Sequence, residues 1–110
     1  MIMDEYQELA AGTINRALTK QQVLHHALFE MSSEMGEISG IYQKELQGHE
    51  IDRQHLKKEI GDLLWGVAEL CTVNGIRLSE VAELNIEKLL DRYPDGFDEE
   101  RSKHRAEGDV

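Results

Sequence analysis

The chain has little of what builds a disulfide scaffold, a nucleic-acid binder or a membrane protein. It carries one cysteine, Cys71, which excludes an intrachain disulfide framework and fits a reducing compartment, so a cytoplasmic location is expected. Cys71 falls in an apolar helical stripe and reads as a small core residue. Basic residues are scarce, with 12 Lys and Arg against 22 Asp and Glu and a net charge of −10. Affinity for a nucleic-acid polymer comes from cations on the phosphate backbone, so such a partner is disfavoured. A small nucleotide whose charge is met by a bound divalent cation is not disfavoured. No apolar run approaches the ~20 residues that span a bilayer. Asp4, Glu5 and Glu8 stand where a signal peptide would carry basic and apolar residues. The five histidines, at 25, 26, 49, 55 and 104, form no H-x-x-x-H pair, which argues against a zinc site. No Glu-x-x-His occurs, so a di-iron bundle is excluded. P-loop, G-x-S-x-G and EF-hand patterns are also missing.

What is there is helical periodicity. Tyr6, Leu9, Ala10, Thr13 and Ala17 recur at three- and four-residue spacing and predict a first helix over about 3–18. A second is expected over about 20–47, with Val23, Leu24, Ala27, Leu28, Met31, Met35, Ile38, Ile41 and Tyr42 on its apolar side and Gly48 as its stop. Asp52 is placed to cap a third, which runs to about Asn74 before Gly75, with Leu56, Ile60, Leu63, Leu64, Val67, Leu70 and Cys71 facing in. A fourth is expected over about 80–92, capped by Ser79. The only proline lies in Pro94-Asp95-Gly96, which is turn chemistry. The charged residues after Phe97 predict an extended or frayed arm. No strand signal or internal repeat appears, so the fold class is all-α, a four-helix arrangement in one domain over 1–97 with a charged tail over 98–110.

Two acidic motifs lie within helices two and three: Glu34-Met35-Gly36-Glu37 and Glu59-Ile60-Gly61-Asp62. Three residues on an α-helix place two side chains about 60° apart on one face, one turn apart. Met31, Ile38 and Ile41 accompany the first pair, and Leu56 and Leu63 the second, so the carboxylates sit on the side that also carries core residues. A short connection makes the two helices antiparallel. Glu37 precedes Gly48 by 11 residues and Glu59 follows it by 11, so the motifs come level across the hairpin. Four inward carboxylates repel one another and lose hydration unless a cation joins them. Oxygen-only ligands suit a hard ion, Mg²⁺ with Mn²⁺ as a substitute, held by Glu34, Glu37, Glu59 and Asp62. Gly36, Gly40, Gly61 and Gly66 each cost ~1 kcal/mol in a helix interior relative to Ala, which calls for close backbone approach or room for a ligand.

Cationic and aromatic residues supply a complementary set. Lys44, two turns beyond Glu37 on one face, is placed to reach a phosphate. Asn85, Lys88 and Arg92 fall on one stripe of the fourth helix, as a phosphate and sugar reader would, although a solvated polar face shows the same spacing. Trp65, one turn beyond Asp62, and Tyr93 offer rings against which a base can stack.

The pair of acidic motifs, together with Asn85-Ile86-Glu87-Lys88-Leu89 and Arg92-Tyr93-Pro94-Asp95-Gly96-Phe97, resembles the MazG-like nucleoside triphosphate pyrophosphohydrolases over about 3–105. The combination is specific where neither acidic motif is. The resemblance implies Mg²⁺-dependent hydrolysis of a nucleoside triphosphate, a deoxynucleotide foremost, to the monophosphate and pyrophosphate. It also implies a homodimer or dimer of dimers with nucleotide near the subunit contacts, and it assigns Asn85 and Lys88 to the substrate. A 110-residue chain buries only about 65% of its unfolded surface, which points to association independently. Many relatives read E-E-x-x-E at the first motif. Here the leading position is Ser33, with Glu30 one turn before Glu34 as a substitute. The alternative reading is a non-catalytic helical dimerisation or regulatory module that retains the acidic hairpin. The cationic stripe, which such a module does not need, speaks against it.

Overall fold

A computed structural model of the chain describes residues 1–106 and 108–110. Five helices appear among them: α1 (Met3–Ala11), α2 (Lys20–Leu46), α3 (Arg53–Val73), α4 (Leu78–Arg92) and α5 (Glu99–Lys103). No strand forms among the described residues, so the all-α expectation holds. The chain divides into two compact units, Met1–Leu78 and Ser79–Val110.

In the first unit, local chemistry sets most helix ends. Thr19 accepts from Gln22 N while the Gln22 side chain accepts from Thr19 N, a reciprocal box that starts α2. Gly48 takes φ +95°, and His49 N donates to Lys44 O, closing the helix with a left-handed residue. Asp52 Oδ1 accepts from Gln54 N and His55 N and starts α3, as its position predicts. Gly75 at φ +67° ends it, with Ile76 N donating to Cys71 O.

Two boundaries differ from expectation. The first helix stops at Ala11 rather than near Leu18. Thr13 Oγ1 donates to Ala10 O and Asn15 Oδ1 accepts from Ala17 N, so side chains draw the backbone into turns over 12–18. The fourth helix begins at Leu78, which puts Ser79 inside its first turn rather than at its cap. Leu78 N donates to Gln7 Oε1 at 2.7 Å, so a residue of α1 supplies the acceptor that a cap would give. Gln7 Nε2 donates in turn to Ile76 O and Thr72 Oγ1.

The buried apolar set is small: Ala10, Val23, Ala27, Ala68, Cys71 and Leu78. α3 packs against both α1 and α2. Gly66 marks a close approach, because a Cβ there would lie 2.6 Å from Met31 Cγ and 3.5 Å from Ala27 O. The other interior glycines, Gly36, Gly40 and Gly61, face open space, so close packing within the chain accounts for one of the four. Ile60 and Leu64, expected to face in, are 50% and 42% exposed. The apolar stripe of α3 is wider than the surface that α1 and α2 cover.

In the second unit, α5 replaces the extended arm expected after Phe97. Asp98 Oδ1 accepts from Glu100 N and Arg101 N and caps it. Arg92 Nε donates to both carboxylate oxygens of Asp109, at 2.7 and 2.9 Å, which ties the tail to α4.

The packing at Gly66 yields a test. Gly66→Val inserts branched bulk against Met31 and is expected to cost about 1–3 kcal/mol, whereas Gly36→Ala is expected to gain about 1 kcal/mol from helix propensity. Chemical denaturation of both variants reads this. Equal effects at the two positions would contradict the assignment of the close approach to Gly66.

Candidate functional site

The first unit brings three of the four motif carboxylates together. Glu34 on α2 and Glu59 and Asp62 on α3 each offer an oxygen within 4.8 Å of the others. Glu34 and Glu59 are half-buried, and one oxygen of each, Oε2, is fully enclosed with no hydrogen-bond partner. Asp62 is more open. The other oxygen of Glu59 lies 3.3 Å from His55 Nε2, one turn back on α3. Glu30, the expected stand-in for the position of Ser33, is half-buried and adds its charge to the field on Glu34.

This crowding is written in the titration of Glu34, whose pKa is pushed up to about 8. The largest cause is a hydrogen bond to Glu59, which exists only when one of the two carboxyls keeps a proton. Burial follows, then the charges of Glu59, Asp62 and Glu30. The pKa of Tyr6, on α1, is raised by burial and by the charge of Asp62.

The cluster fits a hard divalent cation. The donors are all carboxylate oxygens, and two are buried without any protein donor, so a cation would supply what the fold withholds. Zinc or iron would favour nitrogen or sulfur ligands, which the cluster lacks.

Glu37 stands outside this trio. It is exposed and lines a cleft of about 280 Å³ with Gly40, Ile41, Lys44, His49, Glu50, Asp52 and His55. Lys44 therefore shares a concave surface with Glu37, as their helical offset predicts. Trp65 is half-buried one turn from Asp62, and its Nε1 donates to Thr13 Oγ1 at 2.8 Å.

The remaining predicted residues belong to the second unit. Asn85 and Lys88 are exposed on α4. Arg92 is engaged by Asp109, and the guanidinium beside it holds the Asp109 carboxyl below its ordinary range, with Arg105 and Lys88 adding to the effect. Tyr93 packs against Phe97 with ring centroids 5.4 Å apart.

Sequence reasoning missed Tyr6, which feels the charge of Asp62, and the side chains engaged around Trp65: Thr13, His26 and, bonded to His26, Glu69. The last had a legible signal. Glu69 follows Asp62 by seven residues, which places a third acid on the same face of α3.

The raised pKa of Glu34 gives a pH test with a definite sign. The folded state holds this proton more tightly than the unfolded chain, so the contribution to stability is full below about pH 4.5 and is lost as pH rises through about 8. Without divalent ions, the melting temperature is expected to fall across that window. Millimolar Mg²⁺ is expected to flatten the decline, because a cation replaces the proton. A Glu34→Gln variant should lose this pH dependence without added metal. Melting curves of wild type that are superimposable with EDTA and with Mg²⁺ at pH 8 would remove the cation site.

A family model described as the MazG nucleotide pyrophosphohydrolase domain matches residues 1–97 of the 110-residue chain. Neither a curated protein nor a solved structure matches it. The family match spans both acidic motifs, the hairpin that makes Glu34, Glu59 and Asp62 converge, and the whole of α4. This chain belongs to the MazG nucleotide pyrophosphohydrolase domain family.

Proposed function

We propose that the chain hydrolyses a nucleoside triphosphate, most readily a deoxynucleotide, to the monophosphate and pyrophosphate, with Mg²⁺, or Mn²⁺ in its place, as the working ion. The observation that carries this reading is the pair of enclosed, partnerless oxygens on Glu34 and Glu59 beside Asp62, in a chain of this family. Those three carboxylates are the proposed ligands, with Glu37 completing the set at the rim. An ion held there would supply Lewis acidity toward the phosphate oxygens and would offset charge that develops on them.

The chain's own residues do the rest. Glu37, the motif carboxylate outside the converging trio, is the proposed acceptor of the proton lost by the attacking water. His55 holds one oxygen of Glu59 and leaves the other for the ion. Lys44, which lines the same cleft as Glu37, is placed to bind a phosphate. Asn85 and Lys88 are proposed substrate contacts on the strength of the family motif. Arg92 and Tyr93 join them, and the carboxylate of Asp109 already occupies Arg92 as a phosphate would. Trp65 is proposed to wall the base. The exposed Phe29, Met35, Ile60 and Leu64 support assembly as a homodimer or dimer of dimers.

The test is pyrophosphate release from each of the four dNTPs with Mg²⁺. Glu59→Gln is expected to abolish stabilisation by Mg²⁺ and to cut kcat by about 10³-fold. Glu37→Gln should keep most of the Mg²⁺ effect and still lose turnover, while Lys88→Ala should act mainly on KM. Wild-type turnover in Glu59→Gln would refute the assignment. If no dNTP yields pyrophosphate, the metal-binding assembly module is the surviving reading.

A further inference from the structure

A second constellation lies along the same hairpin, away from the carboxylate trio. Glu69 on α3 is 2% exposed and faces His26 on α2, whose Nδ1 lies 2.9 and 3.2 Å from its two oxygens. A carboxylate only accepts, so Nδ1 carries a hydrogen and the ring's orientation is fixed. The His26 side chain is nevertheless 47% exposed, and among the described residues nothing bonds to its Nε2. Burying an acid to orient a half-exposed imidazole is costly as packing alone. Beside it, the Trp65 ring stands at 90° to the His26 ring with centroids 5.8 Å apart, and its Nε1 is tied to Thr13. Two fixed rings at a right angle form a corner. A flat ring laid on one wall brings its edge to the other.

The corner is displaced from the trio along the hairpin. His26 lies eight residues before Glu34 on α2, about 12 Å along the helix axis, and Trp65 is one turn from Asp62 on α3. A molecule held by its phosphates at the trio would extend its base along this line.

We propose that the corner of His26 and Trp65 reads the nucleobase, with His26 Nε2 bonding the base edge and buried Glu69 acting as the positioning residue that aims it. This rests on the proposed function for the identity of the ligand, but binding of a base can be read without catalysis. Trp65 is the only tryptophan, so tryptophan fluorescence, excited selectively over the three tyrosines, reports this corner.

The four deoxynucleoside monophosphates are titrated in the presence of Mg²⁺, with Mg²⁺ pyrophosphate as a base-free control, in wild type, His26→Asn and Glu69→Gln. His26→Asn keeps a donor at the Nδ1 position for Glu69 but lacks the Nε2 atom, so a merely structural histidine is rescued by it and a base-reading one is not. Saturable quenching by the monophosphates and none by pyrophosphate is expected. Both variants should bind about tenfold more weakly, the worth of one hydrogen bond, with flattened preference among the bases. Wild-type affinity and preference in His26→Asn, or no saturable response to any monophosphate, would overturn the proposal. dNTP hydrolysis is followed on the same samples. Quenching without turnover would leave the corner standing and remove the catalytic reading. Turnover with the wild-type base preference intact in His26→Asn would do the reverse.

Discussion

Two carboxylate oxygens, one from α2 and one from α3, are enclosed at the middle of an antiparallel hairpin with no donor to receive them. Most of the chemistry follows from that constraint. An enclosed pair of this kind has two stable solutions, a shared proton or a cation. The first explains why Glu34 holds its proton to about pH 8. The second is what an all-oxygen donor set of three carboxylates suits. On the proposed function, a proton and a metal ion compete for this one place in the hairpin, which would couple fold stability to metal affinity and phosphate chemistry.

The surrounding structure is economical in apolar burial and generous in polar anchoring. Gln7 spans from α1 to both ends of the connection before α4, with bonds to Thr72, Ile76 and Leu78. Thr13 fixes Trp65, and Glu69 fixes His26. These long-range side-chain bonds immobilise residues next to the hairpin where a small core could not. The apolar residues left uncovered, Ile60 and Leu64 on α3 among them, lie on the same helix as Glu59 and Asp62. Covering them in an assembly would also enclose the region of the trio and strengthen its electrostatics.

Much of this was legible in the sequence because the signals are local. Gly48, Asp52 and Gly75 set helix ends through backbone conformation and nearby donors, and they fall where the residue types say. The levelling of the two acidic motifs follows from helix geometry and a short turn. What was not legible depends on contacts distant in sequence. Ser79 looks like a cap, but Gln7, more than seventy residues earlier, supplies the acceptor and moves the helix start to Leu78. The run to Leu18 has helical spacing, yet Thr13 and Asn15 bond to nearby backbone and stop α1 at Ala11. Periodicity marks Ile60 and Leu64 as apolar without saying whether this chain covers them. Spacing sets Glu34 and Glu37 on one face. It does not say that Glu34 turns toward Glu59 while Glu37 lines the cleft of Lys44.

The proposed exchange of proton for metal is open to direct measurement. Calorimetric titration of Mg²⁺ into the protein at pH 6.5, repeated in buffers of different ionisation enthalpy, counts the protons released on binding. The account predicts release of about one proton per site at that pH, and a count that falls toward zero above the pKa of Glu34. Binding that releases no proton at pH 6.5, or no binding at either pH, would contradict it.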